Sequence, residues 1–344
     1  MKPSLHRSIG PGRPWKKTRE PISFLRGGTM RYRHIIEAQQ FNKKALQEIL
    51  SAADHIQERT ERKLPLDLLK GKILANLFYV ASMRTNLSFD CAMKRLGGDV
   101  THIDFPEHFS SELAGGSFED TVRVVGSLVD LIVLRHYRSG SAKRAAEISP
   151  VPIINGGDGP AQHPTQALID LYCIEKLKGG IDGVSIAFIG DLAGSRTIRS
   201  LVYFLAKYSG IKIDFASPRL LKIDEETKEY LAENSIPYSE SLDSAEELRA
   251  IASMADILYI TQIPKDRFVN HDEDYGRSRE IFRIDREILR IMKKDTYIMH
   301  PLPRDYELPT EIDRDPRAVY FDLIRYGQFL RMGLLCLALG VPAD

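Results

Sequence analysis

Along residues 42–62, Leu46, Ile49, Leu50, Ala53 and Ile56 fall at helical spacing, and the apolar run 72–80 that follows predicts a short buried strand. The same rhythm continues with a helix over 82–96, strands over 129–134 and 151–154, and a helix over 164–177. A Gly-Gly-Ile-Asp-Gly turn then leads into 184–189, the most strand-like run of the chain. The second half predicts strands at 212–216, 257–260 and 296–299 and helices at 198–208, 226–233 and 245–252. In the last periodic stretch, 326–340, Phe329, Leu330, Met332, Leu335 and Leu339 predict a C-terminal helix able to return to the first domain. Helices that alternate with short apolar strands imply parallel sheets covered on both faces. The expected fold is therefore α/β, with two doubly wound parallel-sheet domains linked by helices. The expected organisation is a flexible basic segment at 1–30, a first domain at 31–180, a second at 181–325, and a terminal helix at 326–344 packing on the first domain.

The length of 344 residues fits two domains, and 43% hydrophobic with 28% charged residues is an ordinary globular balance that excludes disordered, collagen-like and membrane classes. Forty-eight basic against 47 acidic side chains leave no overall drive toward nucleic acid or an anionic membrane, so an anionic ligand requires a local basic site. The longest apolar runs, such as 128–134 with its Asp130, fall far short of the roughly 20 residues that span a bilayer. Cys91, Cys173 and Cys336 are odd in number and widely spaced, which excludes a disulfide framework or a CxxC metal site and points to a reducing cytoplasm. Residues 1–29 carry seven basic side chains against the single acid Glu20 and lack apolar periodicity, so they are expected to be flexible and dispensable. Pro3, Pro11, Pro14 and Pro21 argue against an amphipathic targeting helix there, and translation from Met30 is a second reading.

Three strand-to-helix turns carry candidate chemistry. Ser82-Met83-Arg84-Thr85-Asn86 combines two hydroxyls and a guanidinium with the unpaired N–H groups of a helix start, a cradle for an anion. A capped helix with a surface arginine is the plain alternative. Arg135-His136 ends the strand Leu131-Ile-Val-Leu, where α/β proteins bind ligands, and Gln162-His163-Pro164-Thr165-Gln166 puts an imidazole and an amide at another such turn. Residues 190–196 lack the G-x-G-x-x-G spacing and a following acid, which excludes a dinucleotide loop.

Five motifs in order carry a family resemblance: Ser-Met-Arg-Thr-Asn-Leu-Ser-Phe at 82–89, Leu-Arg-His at 134–136, Gly-Asp-Gly-Pro-Ala-Gln-His-Pro-Thr-Gln at 157–166, Gly-Asp-Leu-Ala-Gly-Ser-Arg-Thr at 190–197 and His-Pro-Leu-Pro-Arg at 300–304. From about residue 31 onward the chain resembles the transcarbamylases, in particular the catalytic chain of aspartate carbamoyltransferase. The resemblance implies a carbamoyl phosphate-binding first domain and an amino-acid-binding second domain. Ser82, Arg84 and Thr85 would hold the phosphate, and Arg135 would join carbonyl and phosphate oxygens. His163 and Gln166 would orient the carbamoyl group, and the backbone carbonyls of Pro301 and Leu302 would accept from its NH₂. Arg84, Thr85, Arg135 and His163 would be the catalytic groups, with no metal or cofactor. Arg196 would grip the acceptor's α-carboxylate. The family's homotrimers share sites through a loop that here runs over 109–118 and contains Ser110 and Ala114.

This chain departs from the pattern at the acceptor side. The family's Lys-Gly-Glu-Ser/Thr loop reads Ala114-Gly115-Gly116-Ser117, its Ser-Thr-Arg-Thr-Arg has Met83 and Asn86 at the changed positions, and a closure glutamate is Val80. Thr261-Gln262-Ile263-Pro264-Lys265 stands where Arg-x-Gln would read the side-chain carboxylate of aspartate, leaving Gln262, Lys265 and Arg267 as the acceptor-side candidates. Each lost charge-assisted contact costs about 1.5 to 4 kcal/mol, so three predict a deficit on the order of 10³-fold for aspartate. No ornithine-type Asp-x-x-x-Ser-Met-Gly run occurs over 256–267. The expected reaction is carbamoyl transfer to the amino group of aspartate or a related amino acid. The alternative is a weak or inactive paralogue serving as a carbamoyl phosphate-binding or assembly subunit.

Overall fold

Two five-stranded sheets, every strand pairing parallel, organise the chain. The computed structural model describes residues 33–106 and 116–343, so the expectations for 1–30 and for Ser110 and Ala114 lie outside the described residues. The first sheet contains β1 (His34–Ile35), β2 (Ile73–Phe78), β3 (Asp99–Asp104), β4 (Leu131–His136) and β5 (Ile153–Asp158) in the order β1-β5-β4-β2-β3. The second contains β6 (Ser185–Ile189), β7 (Lys212–Ser217), β8 (Tyr238–Leu242), β9 (Ile257–Ile260) and β10 (Tyr297–Met299) in the order β10-β9-β6-β7-β8. In each sheet the winding reverses once, between β2 and β4 and between β6 and β9. Such reversals open a crevice at the carboxyl ends of the strands.

Helices cover both faces because the strands bury side chains on both. In β2, Leu74 and Phe78 join one core while Ala75 and Leu77 join the other, as the two-residue strand period requires. The smaller core lies under α3 (Phe118–Gly126) and α4 (Ser141–Ile148). The larger runs without a break through both sheets by way of α1 (Lys43–Glu61), α2 (Met83–Arg95), α5 (Pro164–Lys178), α6 (Arg196–Leu205) and α11 (Asp322–Leu339). The second sheet also carries α7 (Glu225–Glu233), α8 (Ala245–Met254), α9 (Asp272–Ile281) and α10 (Arg286–Ile291).

The C-terminal helix returns to the first lobe, against α1, α2 and α5. It begins at Asp322, four residues before the periodicity predicted, since Arg325 and Gly327 interrupt the apolar pattern. Gly327 is there for close approach: a Cβ would lie 3.0 Å from Ile169 of α5, and one on Gly333 would lie 3.2 Å from the backbone of Ala52 and Ala53 in α1. Leu330, Leu334 and Leu335 are fully buried, and truncating any one to alanine costs about 2 to 5 kcal/mol.

The two-residue β1 was not predicted, nor were β3 and β8 or α3, α4, α9 and α10. β3 and β8 are sheet edges whose sequences, Asp-Val-Thr-His-Ile-Asp and Tyr-Ser-Glu-Ser-Leu, carry the polar side chains that a half-solvated edge tolerates. Among the described residues, no helix is long and apolar enough to cross a membrane.

Candidate active site

The β2–α2 turn delivers Ser82 to the N-cap of α2, where its hydroxyl donates to Thr85 Oγ1 at 3.1 Å instead of capping the helix. The first-turn N–H groups of α2 therefore face the crevice without an intrahelical acceptor. Beside them Arg135, the penultimate residue of β4, stands in register with Phe78, and the pairing with β5 shifts register between Leu134 and His136. Arg135 Nη1 donates to the Gly156 carbonyl at 2.9 Å, while its Nε is buried without a hydrogen-bond partner.

Asn155 orders the turn that receives these arginines. Its Nδ2 donates to the Ile36 carbonyl at 2.8 Å and its Oδ1 accepts from Gly157 N–H at 2.8 Å. Gly157 stands at φ +118°, and a Cβ there would lie 2.8 Å from Arg135 Nη1 and 3.1 Å from Arg196 Cζ. Two guanidiniums from different lobes thus pack over one bare Cα. Arg196, the first residue of α6, also donates to the Gly159 carbonyl at 2.6 Å. Arg84 reaches across from α2 to donate to the Leu302 carbonyl at 2.6 Å, and Leu302 is held at φ +53° with its N–H on His300 Nδ1 at 2.8 Å. Pro301 precedes it, half-buried.

His163 caps α5 and is buried, its backbone N–H on Ser200 Oγ at 3.1 Å and its Nδ1 3.3 Å from Thr165 Oγ1. Burial first, and then Arg196, Arg135, Arg331 and Arg84, push its pKa well below the usual histidine value, so the ring is neutral at physiological pH. Burial, with Arg196 and Arg84 alongside, pushes Arg135 down to about 10, and burial lowers Arg84 and Arg196 in the same way. Unit charges several ångströms apart in such surroundings repel by about 2 to 4 kcal/mol per pair, and a bound dianion reverses the sign of that energy. Gln166, one turn into α5, donates from Nε2 to Asp170 Oδ1 at 3.1 Å.

On the second-lobe side the candidates separate. Arg267 Nε lies 3.6 Å from Asp191 Oδ2, and its Nη2 lies 2.5 Å from where a Gly194 Cβ would stand, so it rests on the loop that leads to Arg196. Gln262 is half-buried just beyond β9. Lys265 turns outward, 70% exposed, toward Asp272 at 3.4 Å. Asn86 is held by Asn76 at 3.0 Å and Asp104 at 3.4 Å, and Met83 is 75% exposed. Both line an open groove of about 470 Å³ outside α2, together with Leu87, Asp90, His102 and Phe105. Reasoning from sequence missed Asn155, Gly157, Asp170 and Tyr259; for Asp170 the signal was an acid inside an apolar helical run, four residues after Gln166.

Taken together, three guanidiniums, a neutral imidazole, two hydroxyls and a backbone carbonyl converge at the crevice of both sheets, an arrangement suited to binding a phosphorylated carbonyl compound beside a carboxylate. The family described as aspartate/ornithine carbamoyltransferase, carbamoyl-P binding domain, matches residues 33–176, and its Asp/Orn binding domain matches 182–338. The chain is 44% identical to aspartate carbamoyltransferase 2, chloroplastic, of Pisum sativum, over 94% of this chain and 84% of that one. Among solved structures it is similar to the catalytic subunit of M. jannaschii aspartate transcarbamoylase, with a TM-score of 0.83 and 42% identity over 90% and 98% of the two chains. It is also similar to aspartate transcarbamoylase from Trypanosoma cruzi in complex with carbamoyl phosphate and aspartate, with a TM-score of 0.81 and 33% identity over 89% and 94%.

Proposed function

The chain belongs to the aspartate/ornithine carbamoyltransferase family, and from that premise we propose that it transfers the carbamoyl group of carbamoyl phosphate to the amino group of L-aspartate, giving N-carbamoyl-L-aspartate and phosphate for pyrimidine biosynthesis. The observation that carries this reading is the convergence of Arg84, Arg135 and Arg196 on Gly157 and the Leu302 carbonyl. The phosphate sits on the α2 N-terminus with Ser82, Arg84 and Thr85, and Arg135 spans a phosphate oxygen and the carbonyl oxygen. Neutral His163 donates to the same carbonyl oxygen, and Gln166 with the Pro301 and Leu302 carbonyls receives the carbamoyl NH₂.

The deprotonated amine of the acceptor adds to the carbonyl carbon. Negative charge gathers on the carbonyl oxygen, where Thr85, Arg135 and His163 stabilise it, and the C–O bond to phosphate then breaks as the amine's proton passes to the departing phosphate. Because the donors stand in place before the substrate arrives, positioning and preorganised charge supply the acceleration. Arg196 takes the α-carboxylate; Arg267, with Gln262 and Lys265 nearby, takes the side-chain carboxylate.

Ser110 and Ala114 belong to the loop that completes a neighbour's site in a homotrimer, and the groove outside α2 supports such a contact because it borders Ser82 directly. Three free cysteines, two of them buried, support a cytoplasmic setting. The pea relative bears an enzyme's name, and nothing in the comparisons supports the non-catalytic alternative. Phosphate release from carbamoyl phosphate, with and without aspartate and corrected for spontaneous decay, tests the reading. Aspartate-dependent release is expected; release only with another amino acid would replace the acceptor, and none with any would remove the activity.

A further inference from the structure

Asp170 is a carboxylate with no exposed surface in the middle of α5, among Ala167, Leu168, Ile169 and Leu171, where an apolar side chain would be the cheaper occupant. Both its oxygens are engaged. Oδ1 accepts from Gln166 Nε2 at 3.1 Å, one helical turn back, and Oδ2 accepts from the Tyr259 hydroxyl at 2.7 Å. Tyr259 is itself fully buried and belongs to β9 of the other lobe, three residues before Gln262. Arg331 of α11, also buried and with its Nε unpartnered, is the positive charge that faces Asp170.

The chemistry of these groups fixes an orientation. Burial raises the Asp170 pKa to about 7 against the pull of Tyr259, Gln166 and Arg331, yet both its oxygens accept here; in the ionised form it can only accept, so the NH₂ end of the Gln166 amide faces Asp170 and its Oε1 faces away. A carbamoyl NH₂ donates and needs an acceptor. Were the amide reversed, two NH₂ groups would meet in the site. We propose that Asp170 is a positioning residue that holds the Gln166 amide with its oxygen toward the carbamoyl group, and that Tyr259 holds Asp170 in turn from the second lobe. The assignment rests on the reading of Gln166 given above.

The test uses Asp170→Asn, which keeps the shape and can still accept from Tyr259 but presents an NH₂ to Gln166. Two probes separate the terms: phosphonoacetamide, which carries a phosphonate and a primary amide, and inorganic phosphate, which has no amide. The variant is expected to bind phosphonoacetamide about 10-fold more weakly while phosphate affinity stays within about 2-fold, one hydrogen bond to an amide being lost. Its KM for carbamoyl phosphate rises and its kcat falls, whereas in a Gln166→Ala background Asp170→Asn changes neither further. Equal weakening of both probes, or a full effect of Asp170→Asn in the Gln166→Ala background, overturns the proposal in favour of a purely structural acid. Should Asp170→Asn fail to fold, Tyr259→Phe carries the test: a loss of about 2- to 5-fold for phosphonoacetamide alone is expected, and no loss overturns it. A wild-type protein that binds neither probe would overturn the carbamoyl phosphate site itself, and Asp170's role with it.

Discussion

Arg84 Nη2 donates to the Leu302 carbonyl at 2.6 Å, joining the start of α2 in the first lobe to the loop after β10 in the second. The same two groups are assigned to opposite ends of carbamoyl phosphate, the guanidinium to the phosphate and the carbonyl to the NH₂. Bound substrate therefore replaces a direct contact between the lobes with one through itself. This ties occupancy of the site to the spacing of the lobes.

Arg84→Ala should raise the dissociation constant for phosphonoacetamide at least about 100-fold, since a charge-assisted pair to a dianion is worth about 1.5 to 3 kcal/mol per hydrogen bond. Far-ultraviolet circular dichroism should be unchanged, because the side chain reaches out of α2 to the Leu302 carbonyl and belongs to neither core. Arg84→Lys should recover part of the affinity as a point charge without the fork. Calorimetric affinity equal to wild type would take Arg84 out of the phosphate cradle.

Gly157→Ala should damage both halves of the site with one methyl group. The φ of +118° strains any other residue, and the new Cβ would press on Arg135 and Arg196 together. The KM for carbamoyl phosphate and that for aspartate should both rise, by about 10-fold or more, for misplacements near 1 Å. If only one of them moves, the two guanidiniums do not share this turn in the working enzyme.

How much of this was legible follows from where each residue stands. β9 was open to reading because Ile-Leu-Tyr-Ile is buried on both faces, whereas β3 and β8 expose residues on both faces and their Asp, His, Ser and Glu look like loop. Arg84, Arg135, His163 and Arg196 each follow or end a strand, so motif and topology pointed the same way. Gly157 was invisible as a site residue because what matters there is the side chain it lacks. Asp170 was hidden by its neighbours: the run from Ala167 to Ile174 is buried all round, and a single acid within it reads as an interruption until the lobes are docked and Tyr259 arrives from β9.

Acid stability should depend on His34. Its Nδ1 accepts from Ile153 N–H at 3.1 Å where β1 joins β5, and burial, then Arg33, lowers its pKa to about 4. A histidine with a depressed folded-state value contributes stability above its unfolded pKa, near 6.5, and loses it as pH falls through 4, at up to about 1.4 kcal/mol per pH unit. His163, also depressed by burial, adds in the same direction. His34→Gln keeps an acceptor and removes the ionisation. Its urea midpoint should fall less than that of wild type between pH 7 and pH 4.5; parallel declines would mean that His34 does not titrate in this range.

The acceptor side offers the sharpest test of how this chain handles aspartate. Gln262 and Pro264 follow β9, and the guanidinium of Arg267 is shared with Asp191. A carboxylate arriving there must compete with Asp191 for that guanidinium. Gln262→Arg with Pro264→Gln adds an unshared cation and restores a backbone N–H, at a loop-stiffness cost of about 0.4 to 1 kcal/mol from losing proline. The charge-assisted gain of about 1.5 to 3 kcal/mol exceeds that cost. The KM for aspartate should therefore fall by about 10-fold with kcat nearly constant, the mark of binding gained equally in ground and transition states. If steady-state kinetics show no change, Arg267 already satisfies the side-chain carboxylate, and Arg267→Ala should then abolish aspartate saturation in the otherwise native protein.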